Sequence, residues 1–271
     1  WKLNLARAPC HLYHLHYLKT KRISVYFHYY LLEKMLIAAT SDVHSPRFYE
    51  DFVRAIDNMQ VKPDLFLLAG DMIERGNPPE EYDRVYNALF GKISCPIIAC
   101  FGNNEFIPDI RTQLKLKTKD IKFLDGEAIE IKTGYTTIGI VGTIGSLDTP
   151  TNWQRTNIPN IEKVYQERMS TVDRFLHRMM THIKIVLMHY APTYKTLVGE
   201  NPRFYGGMGS QMYENVFLQR KPNLVIHGHS HKGSKFAWVD TVPVFNVSFP
   251  VNREIVIIDT EKIKPGLAKF V

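Results

Sequence analysis

The stretch Asp64-Leu65-Phe66-Leu67-Leu68-Ala69-Gly70-Asp71 decides the fold. Its apolar run does not alternate with polar residues, so a strand built from it is covered on both faces. The run ends at Gly-Asp, a pair that often marks a turn. Outward in both directions the pattern repeats. An apolar strand at 35–40 leads into Ser41-Asp42-Val43-His44, and another at 96–100 leads into Phe101-Gly102-Asn103-Asn104-Glu105. Further along, 183–188 runs into His189, and 223–226 runs into His227-Gly228-His229-Ser230-His231.

Between these strands the period changes. Residues 47–59 predict a helix, with Phe48, Phe52, Ala55, Ile56 and Met59 on one stripe. Residues 79–89 begin with acids, as a helix N-terminus does, and a long helical stretch covers about 161–181. Shorter β-like runs fall at 121–124, 128–131 and 136–141, and the tail at 236–239, 243–247 and 254–258 reads as a β meander. Strands alternating with helices, then a strand-rich second half, give an α/β fold in one domain.

Composition agrees. With 271 residues, 45% hydrophobic and 23% charged, the chain has material for a large core and is neither disordered nor collagen-like. Cys10, Cys95 and Cys100 form no CxxC pair and suit reduced thiols, Cys95 and Cys100 as buried small hydrophobes. The longest apolar candidate for a membrane span, 23–32, contains His28 and ends at Glu33-Lys34, well short of the roughly 18–20 residues required. No small-residue cleavage site follows it, so the chain reads as cytoplasmic.

The net charge of +7 is concentrated at one end: residues 1–34 carry six basic residues and one acid, leaving the remainder at +2. A nucleic-acid groove needs a dense basic stripe, which a nearly neutral domain does not supply. Residues 1–34 also lack helical or strand periodicity; they read as an N-terminal extension, with 35–271 as the functional domain. The trio His11, His14 and His16 is read as part of that extension rather than as a metal cluster.

Five apolar strands thus each end in potential metal ligands: Asp42 and His44, Asp71, Asn103, His189, and His229 with His231. Open α/β sheets bind ligands outside the carboxyl ends of their strands, so these clusters converge if the strands are neighbours. Mixed Asp, Asn and His donors suit Mn²⁺, Fe, Zn²⁺ or Co²⁺ better than Mg²⁺ or Ca²⁺. Seven donors are too many for one tetrahedral ion. They match two ions about 3.5–4 Å apart that share a carboxylate, an arrangement able to bind phosphate oxygens, generate a hydroxide nucleophile and stabilise an in-line displacement.

Asp42-x-His44, Gly70-Asp71, Gly102-Asn103-Asn104-Glu105, His189 and Gly228-His229-Ser230-His231 together resemble the signature of calcineurin-like metallophosphoesterases. The subgroup most similar is the small archaeal phosphoesterases related to cyclic-nucleotide phosphodiesterases. The resemblance implies an αββα sandwich of two mixed sheets with a dimetal site at one edge. Position by position, it implies Asp42, His44 and His231 on a first ion, Asp71 bridging, and Asn103, His189 and His229 on a second, with Mn²⁺ favoured. His227 receives no metal role. The implied substrate is a phosphodiester or phosphomonoester, with a nucleotide among the candidates. A metal-dependent nuclease and a non-catalytic binding scaffold are the alternatives.

The chain departs from the family pattern at Asn104, where the family carries a His that donates a proton or stabilises phosphoryl charge. Asn104 is therefore the candidate catalytic position, but an amide can only donate a hydrogen bond to phosphate. For substrate binding, Asn104 is joined by Arg203, in the Gly-rich segment 199–209 that reads either as a mobile lid or as a surface loop. Arg47, Arg75 and Lys195 also follow strand ends but read as surface charges.

Overall fold

The computed structural model describes residues 34–105 and 108–263. The expected extension at 1–34 lies outside them except for Lys34, as does Cys10. The apolar run after Asp64 forms β2 (Leu65–Ala69), buried along its whole length. Successive side chains of a strand point to opposite faces. Leu65, Leu67 and Ala69 accordingly face an inter-sheet core, and Phe66 and Leu68 face a helical layer.

The first sheet has the order β11-β1-β2-β3-β4, with β1 (Leu36–Thr40), β2, β3 (Ile97–Cys100) and β4 (Ile121–Leu124) parallel and β11 (Val256–Asp259) antiparallel to β1. The second has the order β5-β6-β7-β8-β10-β9. Its central strands β6 (Thr136–Thr143), β7 (Ile183–Met188), β8 (Leu224–His227) and β10 (Val242–Asn246) are parallel, flanked by antiparallel β5 (Glu127–Thr133) and β9 (Phe236–Val239). Both sheets are mixed, as expected.

Helices cover the outer faces. Against the first sheet, α1 (Tyr49–Asp57) buries Phe52 and Ile56, and α2 (Glu80–Leu89) buries Tyr82, Val85 and Leu89. Both carry acids in the first turn, which suits the positive end of the helix dipole. α3 (Pro108–Lys117) precedes β4 and buries Leu114 in the same layer. Against the second sheet, α5 (Ile161–Arg178) and α6 (Met212–Arg220) bury Val172, Leu176, Tyr213 and Phe217. The result is the expected αββα sandwich. A short α4 (Asn152–Asn157) sits at its edge, started by a reciprocal capping box between Thr151 and Gln154. Among the described residues, no helix is long and apolar enough to cross a membrane.

The chain end corrects the expected meander. β9 and β10 form a hairpin in the second sheet, but β11 crosses to the first. Between them α7 (Phe249–Asn252) buries Phe249 edge-on against Phe52, ring centroids 6.3 Å apart. That aromatic anchor draws the chain to the α1 side before β11 begins.

Cys100 is buried in the inter-sheet core, while Cys95 is half-buried against the α1–α2 layer. Glu105 is the buried acid that joins two strand ends. Its carboxylate accepts from the N–H groups of Gly102 (2.7 Å), Asp71 (3.0 Å) and Met72 (2.7 Å), binding the loop after β3 to the loop after β2.

An isosteric Glu105→Gln variant exchanges one acceptor oxygen for an NH₂ group that faces backbone donors. Each buried donor left without an acceptor costs about 1–3 kcal/mol, so the variant is expected to lose about 2–5 kcal/mol in urea unfolding. Glu130→Gln, at an exposed position on β5, stays within about 0.5 kcal/mol of the parent. Equal stability of the two variants would remove Glu105 from its linking role.

Candidate metal centre

The carboxyl ends of β1, β2 and β3 in one sheet and of β7 and β8 in the other open on the same edge. Asp42 and His44 follow β1, Asp71 follows β2, Asn103 follows β3, His189 follows β7, and His229 and His231 follow β8. The connecting backbone is tight: Asp42 N–H donates to Gly70 O (3.0 Å), His44 N–H to Asp71 O (3.1 Å) and Gly228 N–H to His189 O (3.1 Å).

Strain collects at these turns. Asp42, His44, Asp71 and His229 have φ of 56°, 45°, 52° and 68°, and they make up four of the eight non-glycine residues with positive φ among the described residues. Such conformations cost free energy and persist where surrounding contacts over-determine them. Two glycines permit the approach. A Cβ at Gly102 would lie 2.0 Å from Asp71 Oδ1, and one at Gly228 would lie 2.5 Å from Asp42 Oδ2.

The donors fall into two trios, Asp42–His44–His231 and Asp71–His189–His229, each with its ligand atoms within 4.8 Å of one another. In the first, His231 Nε2 lies 3.1 Å from Asp42 Oδ1 and 3.3 Å from His44 Nε2. Asp42 Oδ2 is occupied by Ser41 Oγ–H (2.6 Å) and His229 N–H (2.8 Å), which leaves Oδ1 for the centre. In the second, His189 Nδ1–H donates to Ala69 O (2.9 Å), fixing the tautomer that turns the Nε2 lone pair inward. That Nε2 sits 3.0 Å from Asn103 Oδ1, 3.2 Å from His229 Nδ1 and 3.4 Å from Asp71 Oδ2. Asp71 Oδ1 accepts from Asn104 N–H (2.7 Å).

The electrostatics favour a cation. Asp42 and Asp71 are 0% and 2% exposed. Burial works against the Asp42 charge, yet hydrogen bonds from His231 and His44 hold its pKa well below the usual carboxylate range. Burial likewise opposes a charged His189, but Asp71 outweighs it and pushes the ring up to about 9. His229, buried beside that charge, is pushed down to about 3. Behind the cluster, burial and the Asp71 charge raise Glu105 to about 7. Imidazole nitrogens converge to within 3.2–3.3 Å of one another next to two buried carboxylates, an arrangement that calls for positive charge between them, either a proton such as the one on His189 or a metal cation. Four imidazoles, two carboxylates and an amide oxygen are the donor chemistry of a borderline transition metal, so the residues present fit two divalent ions.

The other sequence candidates are distributed unevenly. Asn104 is half-buried at the centre, its Nδ2 2.9 Å from His44 Nδ1. His227 lies in β8, fully buried, with burial pushing it down to about 4 and no hydrogen-bond partner at Nε2 among the described residues. Arg203 is exposed on the 3₁₀ turn Pro202–Gly207. Its segment is pinned by Thr149 N–H to Gly206 O (2.7 Å) and Asp148 N–H to Gly209 O (2.9 Å). Arg47 pairs with Glu74, and Lys195 with Glu214 at 3.8 Å.

A cavity of about 460 Å³ opens beside the second trio, with Asn103 and His229 in its wall. Arg75, Arg111, Arg168, Trp153 and Tyr190 also line it. Of the three arginines, only Arg75 follows a strand end in the sequence, where it reads as a surface charge. A larger hollow of about 600 Å³ around Asp51, Asn58 and Arg253 contains none of the candidate ligands.

A comparison with curated proteins finds no match. Among solved structures, the chain is similar to the phosphopantetheinyl hydrolase of Mycobacterium tuberculosis, at 14% identity over 78% of this chain and 88% of that one, TM-score 0.60. It is also similar to the Thermus thermophilus protein TT1561, at 15% identity over 83% and 99%, TM-score 0.56. A putative 5'-nucleotidase from Staphylococcus aureus matches at 15% identity over 79% of this chain and 48% of that one, TM-score 0.51. At such identities these likenesses show the fold. The model of the family described as calcineurin-like phosphoesterase matches residues 35–233, most of the chain, and the protein belongs to that family.

Proposed function

We propose that the protein hydrolyses a phosphodiester or phosphomonoester with the help of two divalent transition-metal ions, Mn²⁺ first among them. Asp42, His44 and His231 hold one, Asn103, His189 and His229 the other, and Asp71 serves both. The observation that carries this reading is the pairing of two trios, each with a buried carboxylate and two imidazoles, at one sandwich edge. Ions held there supply Lewis-acid charge to phosphoryl oxygens and lower the pKa of water.

The chain's own groups pre-organise that chemistry. Ser41 and the His229 backbone hold Asp42 in one orientation, and the Asn104 backbone does the same for Asp71. Asn104 has a second task. If His44 keeps its Nε2 lone pair for a cation, its hydrogen is on Nδ1 and the contacting amide atom is an oxygen. The NH₂ group then turns to the side of Asn103 Nδ2, 3.2 Å away, which offers it no acceptor, and it donates instead to a phosphoryl oxygen. It transfers no proton, so ester cleavage here relies on a leaving group that departs readily. Two structural neighbours named as a 5'-nucleotidase and a phosphopantetheinyl hydrolase fit a phosphate ester as substrate.

Purified protein is expected to bind two Mn²⁺ per chain by elemental analysis and to hydrolyse bis-p-nitrophenyl phosphate only when metal is supplied. Asp71→Asn should lower the occupancy of both positions and the hydrolysis rate by at least about 10²-fold, the equivalent of roughly 3 kcal/mol of transition-state charge stabilisation. Full occupancy in that variant would contradict a shared Asp71.

Asn104→His tests the proton question separately. A positioned general acid contributes about 10²–10⁴-fold, and mainly for poor leaving groups. The parent should cleave aryl esters measurably and alkyl esters poorly, and the variant should shift the alkyl-to-aryl ratio of kcat/KM upward at matched metal occupancy. A parent already efficient on alkyl esters, with an unchanged ratio in the variant, would assign the acid elsewhere.

A further inference from the structure

The cavity beside Asn103 and His229 has a chemistry of its own. Its volume of about 460 Å³ falls in the range of small-molecule sites. Among the described residues it is lined by three arginines and by no aspartate or glutamate. Arg111 is already committed, its Nε donating to Glu105 O (2.7 Å) and its Nη1 to Asp125 (2.8 Å). Arg168 is not. It is half-buried, rests 5.7 Å from the centre of the Tyr165 ring, donates Nη1–H to Gly145 O (3.0 Å), and pairs with no acid among the described residues. A guanidinium held in that way favours a ligand anion.

The lining also includes Ile144, Leu147 and Ile161, together with Trp153, whose 41% exposure puts it at the rim. A large, partly exposed aromatic side chain in a lining that also holds aliphatic residues is suited to a flat ring. The backbone that carries Trp153 is fixed. It belongs to α4, whose capping box fixes the helix start, and Asn157 Nδ2–H donates to Trp153 O (2.8 Å). Gln154 Nε2–H reaches Tyr190 Oη (3.3 Å), and Tyr190 packs edge-on against His229 with centroids 4.9 Å apart. Two side chains therefore connect the aromatic rim to the metal-facing histidine. Arg75 lies 6.0 Å from the centre of the Trp153 ring, which brings a second cation to the same rim.

We propose that this cavity seats the part of the substrate beyond the scissile phosphate, and that this part carries a planar heteroaromatic ring, which stacks on Trp153, and a second anionic group, which Arg168 receives. The location of the scissile phosphate rests on the phosphoesterase reading above; the chemistry of the cavity does not.

The test is calorimetric binding to the Mn²⁺-loaded protein of α,β-methylene-ADP and of methylene diphosphonate, which has the same phosphonates without the nucleoside. Base–aromatic stacking predicts that α,β-methylene-ADP binds at least about tenfold more tightly. Trp153→Ala should erase that advantage while leaving methylene diphosphonate binding unchanged, and Trp153→Phe should retain most of it. Arg168→Gln should weaken α,β-methylene-ADP by about fivefold or more, through the loss of one charge-assisted contact, and leave adenosine unaffected. Equal affinity of the two phosphonates, or an advantage that survives Trp153→Ala, would overturn the aromatic assignment. An unchanged affinity in a folded Arg168→Gln protein would overturn the anionic one. Failure of the phosphoesterase reading shows separately, as the same preparation leaving bis-p-nitrophenyl phosphate intact while Trp153-dependent binding persists.

Discussion

Two carboxylates buried at the edge of a sandwich, Asp42 and Asp71, set the terms for the surrounding structure. An ionised carboxylate out of water is costly unless it is hydrogen-bonded and balanced by positive charge. One oxygen of each acid is met by the protein itself, through Ser41 and the His229 backbone in one case and the Asn104 backbone in the other. The other oxygens face imidazoles. The strained backbone at Asp42, His44, Asp71 and His229, the glycines at 102 and 228, and the linking carboxylate of Glu105 all hold this geometry in place.

The sandwich provides what such a cluster needs from a scaffold. Parallel strands covered on both faces leave little freedom to move, and their carboxyl ends offer loops that can converge. Sheet-to-sheet packing brings His189 and His229 from one layer against Asp71 and Asn103 from the other. The cavity is built from different material: Trp153 on a short edge helix, Arg168 on α5, and Arg111 on α3. These elements lie outside the two central sheets, so the cavity lining can vary while the strand ends that carry the candidate ligands stay in place. Solved structures that share the sandwich at 14–15% identity are consistent with a fold that tolerates such change.

Much of this was legible in the sequence, for identifiable reasons. Unbroken apolar runs marked the buried strands, and the runs at β4, β7 and β9 coincide with the observed bounds. The ligand candidates were visible because each follows such a run, and the structure gathers all seven. The crossing of β11 was not visible, because a 3.4 Å-per-residue pattern says nothing about which sheet a strand joins. Phe249 in its buried seat decides that. α6 was missed although Tyr213, Val216 and Phe217 have helical spacing, because Met212 and Leu218 lie exposed and blur the stripe. The cavity arginines were out of reach: positions 75, 111 and 168 share no local pattern and meet only through tertiary packing. Glu105 stood within the quoted motif, but its link between two loops is a three-dimensional property.

The central claim is that the two trios are the two halves of one metal centre. Anomalous diffraction at the manganese edge, from crystals of the full chain grown with Mn²⁺, tests it most directly. Two peaks about 3.5–4 Å apart are expected, one against Asp42, His44 and His231, the other against Asn103, His189 and His229, with Asp71 within reach of both. A single peak, or two with Asp71 bound to only one of them, would contradict it.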